Sequence, residues 1–254
     1  MRTDMNRNEV YRFVGETWDA GIHLSVTARV LLPTSAGQVS VGGTVYPVFP
    51  GDLLLLLPED ICFVGEDNTF TAACWYFTES DLFGADAATG TLALAGVYAA
   101  AGQTEDVRAI LGRARSRTDA MGAQEILLSR MMLSELLLHL PDCMRTAPTG
   151  GKIALAVSYL TGHYTENVSL DDLCESIGLS KFYLCRAFRR DTGMTPHAYL
   201  NLYRVLLADR LLRSGTAAMA CGEQVGYRDY TTFFRSYKKV TGSAPSAQPP
   251  KATV

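Results

Sequence analysis

From about residue 10 to residue 78 the chain alternates short apolar runs with turn residues. VTARVLLPTSAG, QVSVGGTVYPV, GDLLLLLPEDICFVG and FTAACWYF are broken by Pro33, Gly37, Gly42-Gly43, Pro50-Gly51, Pro58 and Asp67-Asn68. Runs this short at this spacing predict many short strands in an antiparallel sandwich or barrel. After Phe83 the period lengthens. TLALAGVYAAAG, TEDVRAILGRARSR and AQEILLSRMMLSELLLHL read as helices. In the last, Ile126, Leu127, Met131, Leu133, Leu137 and Leu138 cover much of the circumference. One face should pack on the β-structure, and the other either meets a second subunit or is also core. Pro141 stops this helix. PDCMRTAPTGG, residues 141–151, is rich in Pro and Gly and reads as a linker.

Beyond the linker the pattern is helical to about Thr241. Ile153, Ala156, Val157 and Leu160 share one face of a first helix. Ser169 with Asp172 three residues on forms a capping-box signature. Leu170, Leu173 and Ile177 are the stripe of the helix that follows, Gly178 permits a sharp turn, and Ser180 caps the next helix. Helix, tight turn, helix is a helix-turn-helix candidate. The pattern then recurs. IGLSKFYLCRAFRRDTG, 177–193, overlays VGYRDYTTFFRSYKKVTG, 225–242, with one extra residue after Tyr227. Leu184 and Phe188 face the core in the first copy, which leaves Lys181, Phe182, Cys185, Arg186 and Arg189 outside. Phe233 and Tyr237 do so in the second, which leaves Tyr230, Thr231, Phe234, Arg235 and Lys238 outside. Arg186 and Arg235 fall at the same place, and a guanidinium can donate two hydrogen bonds to guanine O6 and N7 in the major groove. A solvated basic face is the plainer reading of one such helix; two in register favour DNA.

Between the copies, Thr195 caps and Pro196 opens a helix with the stripe Tyr199, Leu200, Tyr203, Leu206, Leu207 and Leu211, ended by Gly215. About eighteen residues make a rod of roughly 27 Å. That rod could hold two heads so that each enters the major groove on one side of a duplex, about 34 Å apart.

Charge supports this division. Lys152 to Ser243 holds 12 Lys and Arg against 8 Asp and Glu, while Met1 to Gly151 holds 10 against 18. A basic reader joined to an acidic regulatory module has this asymmetry. The six cysteines, with no CxxC pair, read as reduced and mostly buried thiols, with a redox switch as the lesser alternative. The four scattered histidines have no metal-ligand spacing. No run is long enough to span a bilayer and the polar start lacks a signal peptide's apolar core. A cytoplasmic protein without cofactor or metal is expected.

These residues resemble a known family. LDDLCESIGLSKFYLCRAFRRDTG, TPHAYLNLYRVLLADRLL and VGYRDYTTFFRSYKKVTGSAP, in this order and spacing, resemble the AraC/XylS-type DNA-binding domain, which carries two helix-turn-helix motifs joined by a long helix. The resemblance implies base reading by Phe182, Cys185 and Arg186 and by Tyr230, Thr231, Phe234 and Arg235. The sequence departs from the family at Cys221-Gly222, where Ile and Ala are usual, at Tyr227 in place of Phe, and at Gln248-Pro249 in place of an aromatic-Arg ending. A helix-interior glycine costs about 1 kcal/mol relative to alanine, so the second motif is expected to be the softer.

More loosely, GGTVYPVFPGDLLLLLPEDICF resembles the cupin-like sensor domains of this family. His23 is the one histidine there, so the resemblance implies a metal-free effector pocket or a structural barrel. Arg29, Tyr46, Cys62 and Trp75 are candidate effector contacts or simply core and surface. The expected fold is α+β in two domains: a cupin-like β-barrel sensor, 1–85, with a helical dimerisation region, 86–140; a linker, 141–151; an all-α double helix-turn-helix domain, 152–245; and a flexible tail, 246–254. The expected function is a transcription regulator, not an enzyme, with double-stranded DNA, a small-molecule effector such as a sugar or other metabolite, a second copy of the chain, and RNA polymerase for an activator as partners. The alternatives are an N-terminal domain that only dimerises or binds a protein, and a cupin-type enzyme with a DNA-binding appendage, against which the missing histidine cluster counts.

Overall fold

The computed structural model describes residues 2–4, 11, 13–25, 27–78, 81, 96–116, 123–143 and 151–246. Most of the expected linker and the tail beyond Ser246 lie outside them. The chain divides into two compact units, Met1–Val41 with Val45–Thr149 and Gly150–Val254 with Gly42–Thr44.

The first unit opens with ten strands: β1 (Arg2–Asp4), β2 (Phe13–Trp18), β3 (Gly21–Ser25), β4 (Ala28–Pro33), β5 (Gly37–Val41), β6 (Thr44–Val48), β7 (Leu53–Leu56), β8 (Ile61–Val64), β9 (Phe70–Phe77) and β10 (Gly96–Tyr98). They form two five-stranded sheets, ordered β1-β3-β8-β5-β6 and β10-β7-β4-β9-β2. All described pairings with a register are antiparallel except β1 with β3. The expected barrel is instead a pair of sheets that does not close among the described residues.

Strand alternation explains the layers. From β4, β7 and β9, the residues Leu31, Leu54, Leu56, Cys74 and Tyr76 join Trp18, Val39, Cys62 and Val64 in a core that draws on both sheets. Their neighbours Ala28, Val30, Leu32, Leu53, Leu55, Trp75 and Phe77 point the other way, into a second core with two helices, α1 (Glu105–Arg115) and α2 (Ala123–His139). A strand covered on both faces reads as a continuous apolar run, which is why LLLL of β7 is wholly buried. Polar pins close the ends. Asp52 accepts from the Phe49 and Ala100 amides at 2.8 and 2.9 Å. Asp81 takes the Tyr11 hydroxyl at 2.7 Å and the Arg130 guanidinium at 2.6 Å.

One helix expected from sequence is corrected. In TLALAGVYAAAG, Gly96–Tyr98 is β10, paired along β7. Residues 91–95 lie outside the described set. A short apolar run has no period that separates strand from helix, and Gly96 at φ 149° and Ala100 at φ 53° both leave helical space. Pro141 also ends α2 less abruptly than expected, because a 3₁₀ turn, Leu140–Asp142, follows directly.

The second unit has six helices among the described residues: α3 (Lys152–Gly162), α4 (Leu170–Ile177), α5 (Lys181–Thr192), α6 (Pro196–Arg213), α7 (Ala218–Gln224) and α8 (Tyr230–Thr241). Ile153, Ala156, Val157 and Leu160 are buried on α3. Leu173 and Ile177 are buried on α4, but Leu170, expected in the same stripe, is 36% exposed, because the capping box fixes it at the first helical position.

Candidate nucleic-acid interface

Each pair, α4 with α5 and α7 with α8, is a helix-turn-helix. In the first, the Ser169 hydroxyl accepts from the Asp172 amide at 3.1 Å and Asp172 accepts from the Ser169 amide at 3.2 Å. Gly178 takes the left-handed turn at φ 62°, and Ser180 accepts from the Tyr183 amide at the start of α5. In the second, Gly226 turns at φ 87°. Asp229 caps α8 by accepting from both the amide and the hydroxyl of Thr232, each at 2.8 Å. These bonds hold the Asp229 carboxyl below its ordinary range, with Arg235 helping. The two turns therefore use the same device, a left-handed glycine followed by a side-chain cap.

Inward faces match as well. Leu184 and Phe188 of α5 are buried, as are Phe233 and Tyr237 of α8. The ten residues expected to read DNA fall on the outward faces. Lys181, Phe182, Arg186 and Arg189 are exposed, with Cys185 half-buried between them and the core. Tyr230, Thr231, Arg235 and Lys238 are exposed, with Phe234 half-buried in the place of Cys185. Tyr183, Arg190, Thr232 and Lys239 share these faces, and the sequence reading left them out. A full helical wheel centred opposite Leu184 or Phe233 places them there.

The outward residues differ in how they are held. Lys181 Nζ lies 2.5 Å from Asp171 Oδ1 on α4, and this contact raises the Lys181 ammonium above its ordinary value. Arg190 is paired with Asp191 at 2.6 Å. Tyr230 rests its ring near Phe233 and Phe234, at 5.9 and 6.2 Å between centroids.

Residues 173–248 match the family model described as a helix-turn-helix domain. The C-terminal unit is a helix-turn-helix domain of the AraC type. The chain is 33% identical over 113 residues to the uncharacterised HTH-type transcriptional regulator YbfI of Bacillus subtilis, across 43% of this chain and 40% of that protein. It is 34% identical over 93 residues to the raffinose operon transcriptional regulatory protein RafR of Pediococcus pentosaceus, across 36% of this chain and 34% of that one. The chain thus spans well under half the length of these relatives. Among solved structures, ToxT of Vibrio cholerae aligns over 92% of this chain and 95% of its own, at 10% identity and a TM-score of 0.40.

Within this AraC-type domain the departures acquire physical reasons. Gly222 of α7 is buried, and a Cβ there would meet the Phe233 ring at 3.1 Å. Glycine lets α7 approach the core ring of α8. The hydroxyl that Tyr227 adds to the usual Phe donates to Asn201 Oδ1 on α6 at 2.8 Å. Burial is the main reason the Tyr227 hydroxyl titrates above its ordinary value. Arg204, also on α6, donates to the Tyr164 and Glu166 carbonyls at 2.6 and 2.7 Å and lies 5.6 Å from the Tyr227 ring centroid. Tyr237 donates to Asp209 Oδ1 at 2.6 Å, and Arg213 closes on the same carboxylate at 2.5 Å. The long helix α6 is therefore bonded to the segment between α3 and α4 and, in the second motif, to the turn at Tyr227 and to α8. Spacing signals could not have shown these links, which join residues 26 to 40 positions apart.

In the first unit three of the four candidate effector contacts are brought together and the fourth is not. Arg29, Cys62 and Tyr46 belong between the sheets, with Arg29 4.7 Å from the Trp18 ring centroid. Trp75 points to the helical side and stacks on Phe13 at 5.2 Å. Burial pushes the Cys62 thiol up to about 12 against the pull of Arg29, so it stays protonated and unreactive at neutral pH.

Proposed function

We propose that the chain is a sequence-specific DNA-binding transcription regulator whose two heads read adjacent major-groove segments through α5 and α8. The observation that carries this reading is the duplicate geometry: two exposed basic helices, each behind a left-handed glycine and a side-chain cap, on either side of an 18-residue helix. Arg186 and Arg235 are the base readers, and Arg189 and Lys238 lie where phosphates flank the groove. Lys181, Phe182, Cys185, Tyr230, Thr231 and Phe234 fill the remaining contact surface.

The first unit is the regulatory module. Its α2 buries Leu133, Leu136 and Leu137 yet exposes Leu127, Met131 and Leu138 by 57, 59 and 60%. This second apolar stripe is read as the seam of a homodimer. A small metabolite bound in the two-sheet region shifts the unit between states that permit and restrain DNA binding, with a coupling of about 1–3 kcal/mol. Contact with RNA polymerase follows if the regulator activates.

Selection of bound sites from random duplex DNA with the full chain tests the reading, followed by titration across salt concentrations. Enrichment of a two-part site whose halves lie about one helical turn apart supports it. Binding to all sequences with one affinity, or none, refutes it. An isolated 152–254 fragment with the affinity and effector response of the whole chain would remove the regulatory role of the first unit.

A further inference from the structure

The outward face of α5 is unusual for a solvated helix. Phe182 is 79% exposed and Tyr183 is 55% exposed. Arg186 and Arg189 are exposed on the same face, which makes the face complementary to a polyanion. The one ammonium beside Phe182, Lys181, is drawn to Asp171 of the preceding helix. The first head therefore offers an aromatic surface where the local positive charge is partly neutralised. In the second head the register set by Gly178 and Gly226 puts Met219 where Asp171 stands, and the register set by the caps Ser180 and Asp229, past the extra residue, puts Tyr230 where Lys181 stands. Thr231 takes the place of Phe182 and Thr232 that of Tyr183, and the Thr232 hydroxyl is engaged by Asp229.

An aromatic ring aimed at base edges has no donor or acceptor to match their polar pattern. The apolar feature that a base pair presents in the major groove is the thymine 5-methyl group. We propose that the first head discriminates thymine by its methyl group, with Phe182 as the contact, while Asp171 acts as a positioning residue that holds Lys181 off the nearby phosphates. The second head carries Thr231 in that place, whose single methyl offers a smaller apolar contact than a phenyl ring, and discriminates chiefly by Arg235. The proposal rests on the DNA-binding reading above and assigns the bases that one of its heads accepts.

The test uses the full chain and the duplex obtained by selection. Each thymine is replaced singly by deoxyuridine, which removes the methyl and nothing else, and affinity is read by fluorescence anisotropy. Losing contact with one methyl should weaken binding about threefold to tenfold. The strongest loss should fall in the half-site where Arg186→Ala relaxes base preference. Phe182→Ala, at an exposed position that the fold does not need, should abolish the difference between thymine and deoxyuridine there, and Phe182→Leu should keep part of it. Asp171→Asn should tighten binding to all duplexes by a common factor and steepen the salt dependence, with the thymine-to-deoxyuridine ratio unchanged. The proposal is overturned if every deoxyuridine is tolerated within about twofold, if the strongest loss lies in the half governed by Arg235, or if Phe182→Ala keeps the discrimination. Failure to enrich any sequence would overturn the DNA reading itself and this proposal with it.

Discussion

Gly226→Ala should be among the most damaging single-methyl additions in the C-terminal unit. Two effects add there. The backbone sits at φ 87°, where an alanine costs about 1–2 kcal/mol. The new methyl would also stand 2.7 Å from Thr165 Cα and from the Tyr164 carbonyl oxygen. Those are backbone atoms, so they cannot swing aside as a side chain would, and overpacking of this kind adds about 1–3 kcal/mol. The sum, about 2–5 kcal/mol, is a large part of the stability of an ordinary domain. Two control positions isolate the clash. Gly242 has φ 78° with nothing within 4 Å, and Gly178 has φ 62° with only the tip of Lys152 at 3.8 Å. Their alanine variants should lose the backbone part alone. The chain provides its own two reporters, because its two tryptophans, Trp18 and Trp75, both lie in the first unit. Urea unfolding followed by tryptophan fluorescence reports the sheets, while helical circular dichroism is weighted toward the second unit. Gly226→Ala should lower the midpoint of the helical transition by about 1 M or more and leave the fluorescence transition in place. Equal midpoints for the 226, 178 and 242 variants would refute the steric part of the reasoning. A matching fall in the fluorescence transition would refute its confinement to one unit.

Other expectations follow from the same contacts. Arg186→Ala and Arg235→Ala should each cost about 1–3 kcal/mol on the selected site and relax preference at one base position; equal losses on random DNA would mean that they touch phosphates alone. On the proposed homodimer seam, Leu127→Glu with Met131→Lys should lower the mass seen by sedimentation equilibrium from dimer to monomer without altering the fluorescence transition, and an unchanged mass would refute that seam. Burial raises the Asp60 carboxyl to about 6, despite the Leu57 amide and Arg29, from 3.8. A raised carboxyl stabilises the fold below its unfolded value and loses that contribution as pH rises through about 6. Asp60→Asn should therefore flatten the stability of the first unit between pH 4 and 7 in fluorescence melts, and raise it at pH 7.5 by at most about 3 kcal/mol. A variant that is less stable at pH 7.5 would mean that the carboxylate's hydrogen bonding outweighs its burial.

The sequence was most informative where structure is local. Caps and turns act within three or four residues, so Ser169 with Asp172, Gly178 and Thr195 with Pro196 could be placed before any coordinates. Apolar stripes of α3, α5 and α8 were likewise readable, because one face of each is buried and the other is wet. Legibility failed where partners are remote. Strand order depends on pairings such as β5 with β8 and β7 with β10, which no short-range signal encodes. Gly96–Tyr98 reads as helix in the sequence because a three-residue strand bonded to β7 offers no period of its own. On the reading faces the outward positions were legible, but the Asp171–Lys181 pair was not: two opposite charges ten residues apart meet only once the turn at Gly178 has folded α5 back on α4.

The duplicate motif shows which positions the fold constrains and which it leaves open. Leu184 and Phe233, Phe188 and Tyr237, and Gly178 and Gly226 occupy equivalent inward or turn places, and each pair keeps its physical class because burial and positive φ admit few residues. Phe182 and Thr231, Cys185 and Phe234, and Lys181 and Tyr230 occupy equivalent outward places, and each pair changes class. Packing does not govern those positions, so a difference there costs the fold little and is free to alter recognition. Arg186 and Arg235 are identical, and Arg189 with Lys238 and Arg190 with Lys239 stay basic, although exposure would have let them differ. An exposed likeness that packing does not require is best accounted for by a ligand that both helices meet in the same way, and a duplex whose groove returns each turn is such a ligand.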